Sequence, residues 1–351
     1  MTTKEYYEHP AINQSKLKLL LISPKLFTTS ETSQIYFEEP LHFVLGSGVD
    51  CMLTDTKNFS NKYHVSLLET KPSDKIKSII NQVFDIVSEN ITNISTNISD
   101  YASTVLRCCD EQSYQTNWLE QTRCNKIYEH NPYWLELLEA QGKQVLSVEE
   151  YDTILKIVQS LQQNPVISKY FDENTYEIIY QLPIIFFYKK VACKALIDMV
   201  CINHKNKTIQ LIDIKTTGDY TSNFEKSVVK RRYDIQSSFY LEAIKYYLLN
   251  SDRDFKDYTL LDFKFIVEST KNIGCPLLYN CNSSLLGLGK YGRETVTVID
   301  TNGKYQTIKR NILGFDALIN LYEYHLENGF LLDKITIDNN FLIDIGADIF
   351  S

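Results

Sequence analysis

The sequence predicts an α/β protein, in which strands are enclosed by helices and follow a mostly helical N-terminal part. Two observations carry that expectation. From Thr175 to about Thr217 the apolar residues alternate at period two, interrupted by short polar turns at Lys189-Lys190 and His204-Lys205-Asn206-Lys207. Before and after this stretch, apolar residues recur at helical spacing, over Ser73–Ser88, Glu149–Gln163 and Tyr233–Leu249.

Taken in order, Asn13 or Ser15 can cap a first short helix, and Ser23-Pro24 can end it and start another. A helix over 41–54 carries Gly46 and Gly48, unusual inside a helix and a sign of close backbone approach. Residues 65–172 read as mostly helical, without a catalytic cluster. The strands of 175–217 follow, then a short helix at Ser222–Val229 and the longer one at Tyr233–Leu249. Further strands are expected at Leu260–Glu268 and Pro276–Cys281. Asp300-Thr-Asn-Gly303 signals a hairpin turn between Thr295–Ile299 and Tyr305–Ile308, and Ile312–Asn328 reads as a helix. The resulting division is a helical part over 1–172, a strand-rich core over 173–330 and an apolar, acidic tail over 331–351.

Composition narrows the function classes. A chain of 351 residues that is 44% hydrophobic and 23% charged has the make-up of a globular protein large enough for a substantial core. A net charge of -8 argues against a general nucleic-acid binder, although a local basic groove or bound cations can coexist with an acidic exterior. No apolar run approaches the ~20 residues that span a membrane. The eight cysteines include no C-x-x-C pair, so reduced thiols and a cytoplasmic location are expected.

The chemistry gathers in 191–217. Asp198 sits in one greasy strand and Asp213 in the next, and Lys215, two residues on, shares the face of Asp213. Ile212 and Ile214 make the other face apolar, so these charges stand on a strand covered from both sides, where charge is costly unless paired or used. D-x-K by itself says little, because the chain has four: Asp55–Lys57, Asp213–Lys215, Asp254–Lys256 and Asp262–Lys264. Only Asp213 has a second acid on the preceding strand. It alone is also followed by a helix carrying Gln236 and Tyr240, four apart and therefore on one face. Lys230, Arg231 and Arg232 stand where that helix is expected to begin, a place that favours phosphate. The bland alternative is an Asp–Lys structural pair and a surface tyrosine. Two hard carboxylates suit Mg²⁺ or Mn²⁺, with the Ile214 carbonyl completing the shell. Such an ion acidifies a bound water, and Lys215 orients that water and offsets charge developing on phosphate. Asp50, an acid among apolar helical neighbours, reads equally well as a solvent-facing side chain.

Cys193-Lys-Ala-Leu-Ile-Asp198, Leu211-Ile-Asp-Ile-Lys-Thr-Thr217 and Gln236-Ser-Ser-Phe-Tyr240 resemble the R-P-D, D-x-K-T-T and Q-x-x-x-Y stretches of the PD-(D/E)XK nuclease superfamily. The nearest group is the RecE/RecB-like one, which includes exodeoxyribonuclease VIII and phage recombination exonucleases. His9–Leu17, Leu45-Gly-Ser-Gly-Val-Asp50 and Phe263–Glu268 resemble further parts of such domains, so the likeness runs through most of the chain in order. It implies a restriction-endonuclease-like core with a central mixed β-sheet flanked by helices. It also implies a Mg²⁺- or Mn²⁺-dependent exonuclease acting on linear duplex DNA ends in phage-type recombination, in the host cytoplasm if phage-encoded.

Asp198 and Asp213 are then metal ligands, Lys215 the water-activating residue, and Gln236 and Tyr240 the clamp. Thr216 and Thr217 join Lys230, Arg231 and Arg232 in contacting DNA. Two departures stand out. Ile197 replaces the proline, and Asp50 replaces a metal-binding histidine, which makes Asp50 a candidate ligand. For the acid common on the first strand, Glu177 and a substituted Gln181 both remain open. A homo-oligomer and a single-strand annealing partner are inherited expectations. Cys275 and Cys281 lack the partner pair of iron–sulfur relatives, so no such cluster is expected. The competing functions are a CRISPR-associated or RecB-like end-processing nuclease, and a degenerate nuclease fold that binds DNA or acts as a scaffold.

Overall fold

The computed structural model describes residues 3–32, 41–66, 68, 72–140, 142–293, 296–299, 305–308 and 312–330. The expected tail 331–351 and the turn at 300–303 lie outside them. The chain divides into two compact units, Met1–Gln34 with Ser160–Ser351, and Ile35–Gln159. The strand-rich core thus includes the first 34 residues, which the sequence reading assigned to the helical part. The reason is a long-range pairing: Ile12 bridges Cys193, its N–H donating to the Ala192 carbonyl at 3.0 Å while Lys194 N–H donates to the Ile12 carbonyl at 2.8 Å. The buried Lys194 ammonium also reaches the carbonyls of Tyr6, Tyr7 and His9 at 2.7–3.1 Å, tying down the end of the helix Thr3–Glu8. Asn13 then caps α1 (Gln14–Leu19), its side chain accepting from Lys16 N–H at 2.8 Å.

The sheet follows the period-two pattern. β1 (Glu177–Tyr188), β2 (Val191–Asn203) and β3 (Thr208–Thr217) form an antiparallel meander. Both turns fall where the polar residues predict, with Lys189 at φ 55° and Lys207 at φ 53°. After β3 the chain crosses over through α2 (Phe224–Arg231) and α3 (Tyr233–Asn250), long enough to allow parallel return. The short β4 (Thr259–Leu260) and then β5 (Lys264–Ser269) pair parallel to β3, and β6 (Leu277–Asn280) pairs antiparallel to β5. The sheet order is therefore β1-β2-β3-β5-β6, mixed, with β4 also on β3. The chain is an α/β protein with a central mixed sheet flanked by helices.

One face of the sheet carries Val200, Leu211, Phe265 and Val267 against α3, where Ile235, Phe239 and Ala243 are fully buried. The opposite face carries Met199, Cys201, Ile212 and Ile266, all essentially buried, with the Cys201 thiol against the Tyr170 carbonyl at 3.6 Å. Two helices close the first face: α4 (Ser283–Tyr291) packs on α3, and α5 (Phe315–Asn328) packs on α4 and α1. The sequence reading did not anticipate α4, which contains Gly287 and Gly289. At Gly289 a Cβ would lie 1.9 Å from the Asp234 carbonyl oxygen, so only glycine lets α4 approach α3 this closely. Val296–Ile299 and Tyr305–Ile308 pair antiparallel, as the hairpin signal between them requires.

The second unit is built on Ile79, Ile80, Val83, Ile98, Ile127 and Trp134, buried between helices that include Asp74–Asn90, Ala102–Glu111 and Asn131–Ala140. It also contains a parallel strand pair, Tyr63–Ser66 with Gln144–Ser147, too short to leave a period in the sequence. The helix Leu41–Thr54 carries the close approach that Gly48 suggests: a Cβ there would lie 2.4 Å from Ile154 Cδ1.

Candidate active site

Register brings the two acids together. The pairing of β2 with β3 runs from Asn203 and Thr208 to Met199 and Ile212; Asp198 and Asp213 are the next residue on each strand, and both act electrostatically on Lys215 and Tyr240. Asp213 is 1% exposed. Gln236 Nε2 donates to its Oδ1 at 2.7 Å, and the Lys215 ammonium is ion-paired with its Oδ2. Gln236 comes from the first turn of α3, and one turn later Tyr240 is hydrogen-bonded to it, side chain to side chain. The helical spacing of four residues therefore produces the shared face that the sequence predicts.

The electrostatics are those of a buried, coupled cluster. Burial pulls the Lys215 ammonium down, but Asp213, Asp198 and Tyr233 outweigh it, and the net direction is up. Burial pushes the Tyr240 phenol well above its ordinary value, and Asp198 and Asp213 push the same way, so the ring keeps its proton. The other D-x-K pairs serve local ends. Asp55 is an exposed partner of Lys62, Asp254 accepts from Lys256 N–H, and Asp262 accepts from Asn280.

The remaining expected residues are placed as follows. Ile214, half-buried, pairs with Ile266 in β5. Thr216 and Thr217 end β3; Thr216 lies opposite Glu268, and the Thr217 hydroxyl accepts from Asp219 N–H at 3.2 Å. Lys230 and Arg231 do not begin α3: they are exposed in the last turn of α2. Arg232 is the link, in the left-handed region at φ 52°. Its guanidinium is held by Asp234 at 2.9–3.3 Å and by the Leu313 carbonyl at 2.7 Å, so its first task is to fix the junction of α2 and α3. Asp50 is half-buried on Leu41–Thr54 in the second unit, with Cys51 and Tyr63 among the groups it acts on electrostatically.

The choice left open on β1 is narrowed by register. Glu177 pairs with Ile202, four residues along β2 from Asp198 and so ~13 Å away. It is bound there by Arg253 at 2.6–2.7 Å and by His204 at 2.8 Å. Gln181, at φ 49°, falls between the pairs Tyr180–Met199 and Leu182–Ile197, opposite Asp198. Of the two candidates, Gln181 is therefore the one beside Asp198.

One residue near the cluster was missed by sequence reasoning. Lys18, on α1, donates to the Arg231 carbonyl at 3.1 Å and lies 6.0 Å from the Tyr233 ring centroid, while Lys215 lies 5.3 Å from the same ring. K-L-K in an amphipathic helix gives no sign of this, because the approach is made by tertiary packing.

Among the described residues no three His, Cys, Asp or Glu side chains converge in a way that could hold a metal ion. What is present is two carboxylates, Asp198 and Asp213, that act on the same lysine and tyrosine. That donor set fits a hard divalent cation that keeps much of its water, rather than an all-protein cage.

No family model matches the chain, and no curated protein matches it. Among solved structures, a crystal structure of a candidate exonuclease from Eubacterium rectale matches with a TM-score of 0.43 at 9% identity, covering 99% of this chain and 90% of that one.

Proposed function

We propose that this chain is a metal-dependent deoxyribonuclease that hydrolyses phosphodiester bonds at the ends of linear duplex DNA. The observation that carries the proposal is the engagement of Asp213 by both Lys215 and Gln236, with Asp198 acting on the same Lys215 and Tyr240 one helical turn on from Gln236. Of four D-x-K pairs, this one alone is set in such a cluster, which supports the PD-(D/E)XK resemblance of the sequence.

Asp198 and Asp213 are the residues that would hold Mg²⁺ or Mn²⁺, with the Ile214 carbonyl as a further candidate. The ion, when bound, supplies an acidified water and offsets phosphate charge. The chain's own part is positional. Gln236 fixes the rotamer of Asp213, Tyr240 fixes Gln236, and Lys215 presents an ammonium beside the carboxylates, where it orients a water and meets charge developing on phosphate. Thr216, Thr217, Lys230 and Arg231 are the DNA contacts in this reading. Phage-type recombination is the role it implies, with a single-strand annealing protein and a homo-oligomer as associated partners. Among the described residues no helix is long and apolar enough to cross a membrane.

The test is nucleotide release from linear duplex DNA with Mg²⁺ or Mn²⁺. Wild-type protein is expected to release nucleotides, and Asp213→Ala and Lys215→Ala are expected to release none. No release by the wild type with either ion overturns the proposal, as does undiminished release by both variants.

A further inference from the structure

The cluster accounts for the Lys215 charge but not for that of Lys18. Among the described residues its partners are the Arg231 carbonyl and the Tyr233 ring, and no carboxylate forms an ion pair with it. The carbonyl is the last of α2, where the helix dipole favours a cation but does not neutralise it. Both ammoniums approach the same tyrosine ring, at 6.0 Å for Lys18 and 5.3 Å for Lys215.

Electrostatics agree with this crowding. Burial first, and then Lys215, lower the Lys18 ammonium to about 8, while Asp234 and Asp213 act in the opposite sense. A half-buried cation set beside another, with no anion of its own, is costly to keep unless an anionic ligand meets it. The N-terminal segment is also anchored for this placement, since Ile12 is laced to β2 immediately before α1 begins.

We propose that Lys18 is a phosphate-binding residue of the site, gripping a backbone phosphate of DNA next to the one that Lys215 attends. The proposal rests on the nuclease reading and adds to it an element, α1, to which no site residue had been assigned. On substrate binding, Lys18 exchanges the Arg231 carbonyl for a phosphate oxygen, a stronger charge-assisted partner.

The experiment compares wild type with Lys18→Met, which keeps the apolar stem while removing the charge, and with Lys18→Arg. Thermal unfolding confirms that each is folded. Steady-state cleavage of a linear duplex should show KM raised roughly tenfold in Lys18→Met with kcat largely kept, and KM restored toward wild type in Lys18→Arg. Binding of the same duplex in Ca²⁺ should show the slope of log K against log salt falling by about 0.9 in Lys18→Met, the loss of one phosphate contact. Cleavage by the wild type with Lys18→Met unchanged in KM and slope overturns the Lys18 proposal alone. Absence of cleavage by the wild type overturns the nuclease reading, and the binding slope then decides the role of Lys18 separately.

Discussion

Gln236 Nε2 donates to Asp213 Oδ1 at 2.7 Å, joining the first turn of α3 to the centre of β3 at a carboxylate that is 1% exposed. The bond both satisfies a buried acceptor and fixes the direction in which Asp213 points. Gln236→Ala is therefore expected to destabilise the fold by about 1–3 kcal/mol, the cost of leaving a buried polar group one partner short. Nucleotide release should fall at the same time, because Asp213 is then free to rotate. Denaturant unfolding gives the first quantity; an unchanged midpoint with unchanged slope would mean the bond has no structural weight.

The Lys215–Asp213 pair makes a sharper test, since its members can be removed separately or together. Lys215→Met leaves the buried carboxylate without its counter-charge and should cost about 3–5 kcal/mol. Asp213→Asn combined with Lys215→Met removes both charges and should recover much of that loss, although neither protein should cleave DNA. Unfolding free energies of the four proteins form a double-mutant cycle. Strict additivity would show that the two side chains do not interact.

Much of this was legible in the sequence because it depends on short-range periods. Alternation at period two put Asp213 and Lys215 on one covered face, and helical spacing put Gln236 and Tyr240 together; the structure places all four in one cluster. What could not be read depends on packing between distant segments. Lys18 is brought to Tyr233 by the Ile12–Cys193 bridge, and residues 1–34 join the strand-rich unit for the same reason. The cations Lys230–Arg232 were misplaced by a helix boundary: α2 runs to Arg231, and Arg232 takes a left-handed conformation that local propensity does not suggest. Helix α4 was not anticipated because two glycines in nine residues weaken the helical signal, although one of them is required by contact with α3.

Glu177 provides a pH prediction away from the cluster. The hydrogen bonds from Arg253, aided by His204 and opposed by burial, lower its carboxyl to about 2, below the roughly 4.3 of an unfolded chain. A group whose folded value is depressed stabilises the fold above its unfolded value, and that contribution is lost as pH falls toward the folded one. Glu177→Gln should therefore flatten stability between about pH 4 and 2, by no more than about 1 kcal/mol because the pair is 38–41% exposed. Nucleotide release at neutral pH should match the wild type, since Glu177 lies opposite Ile202 rather than Asp198. Loss of cleavage in Glu177→Gln would instead make it the first-strand acid.

Two glycines of α4 separate space from propensity. At Gly289 a Cβ would fall 1.9 Å from the Asp234 oxygen and 2.3 Å from its carbon, backbone atoms that cannot swing aside, whereas a Cβ at Gly287 meets nothing within 4 Å. Alanine is the better helix former at both positions by up to about 1 kcal/mol, so Gly287→Ala should leave the protein as stable or slightly more so. Gly289→Ala must push α4 off α3 and should cost about 3 kcal/mol, the upper part of the usual range for overpacking. Asp234 lies two residues before Gln236 and holds Arg232, so the displaced backbone is the one that aims the clamp at Asp213. Gly289→Ala should accordingly lose cleavage in excess of what its unfolded fraction explains, while Gly287→Ala keeps wild-type rates. Equal behaviour of the two variants in thermal unfolding would mean that α4 can retreat from α3 without disturbing it.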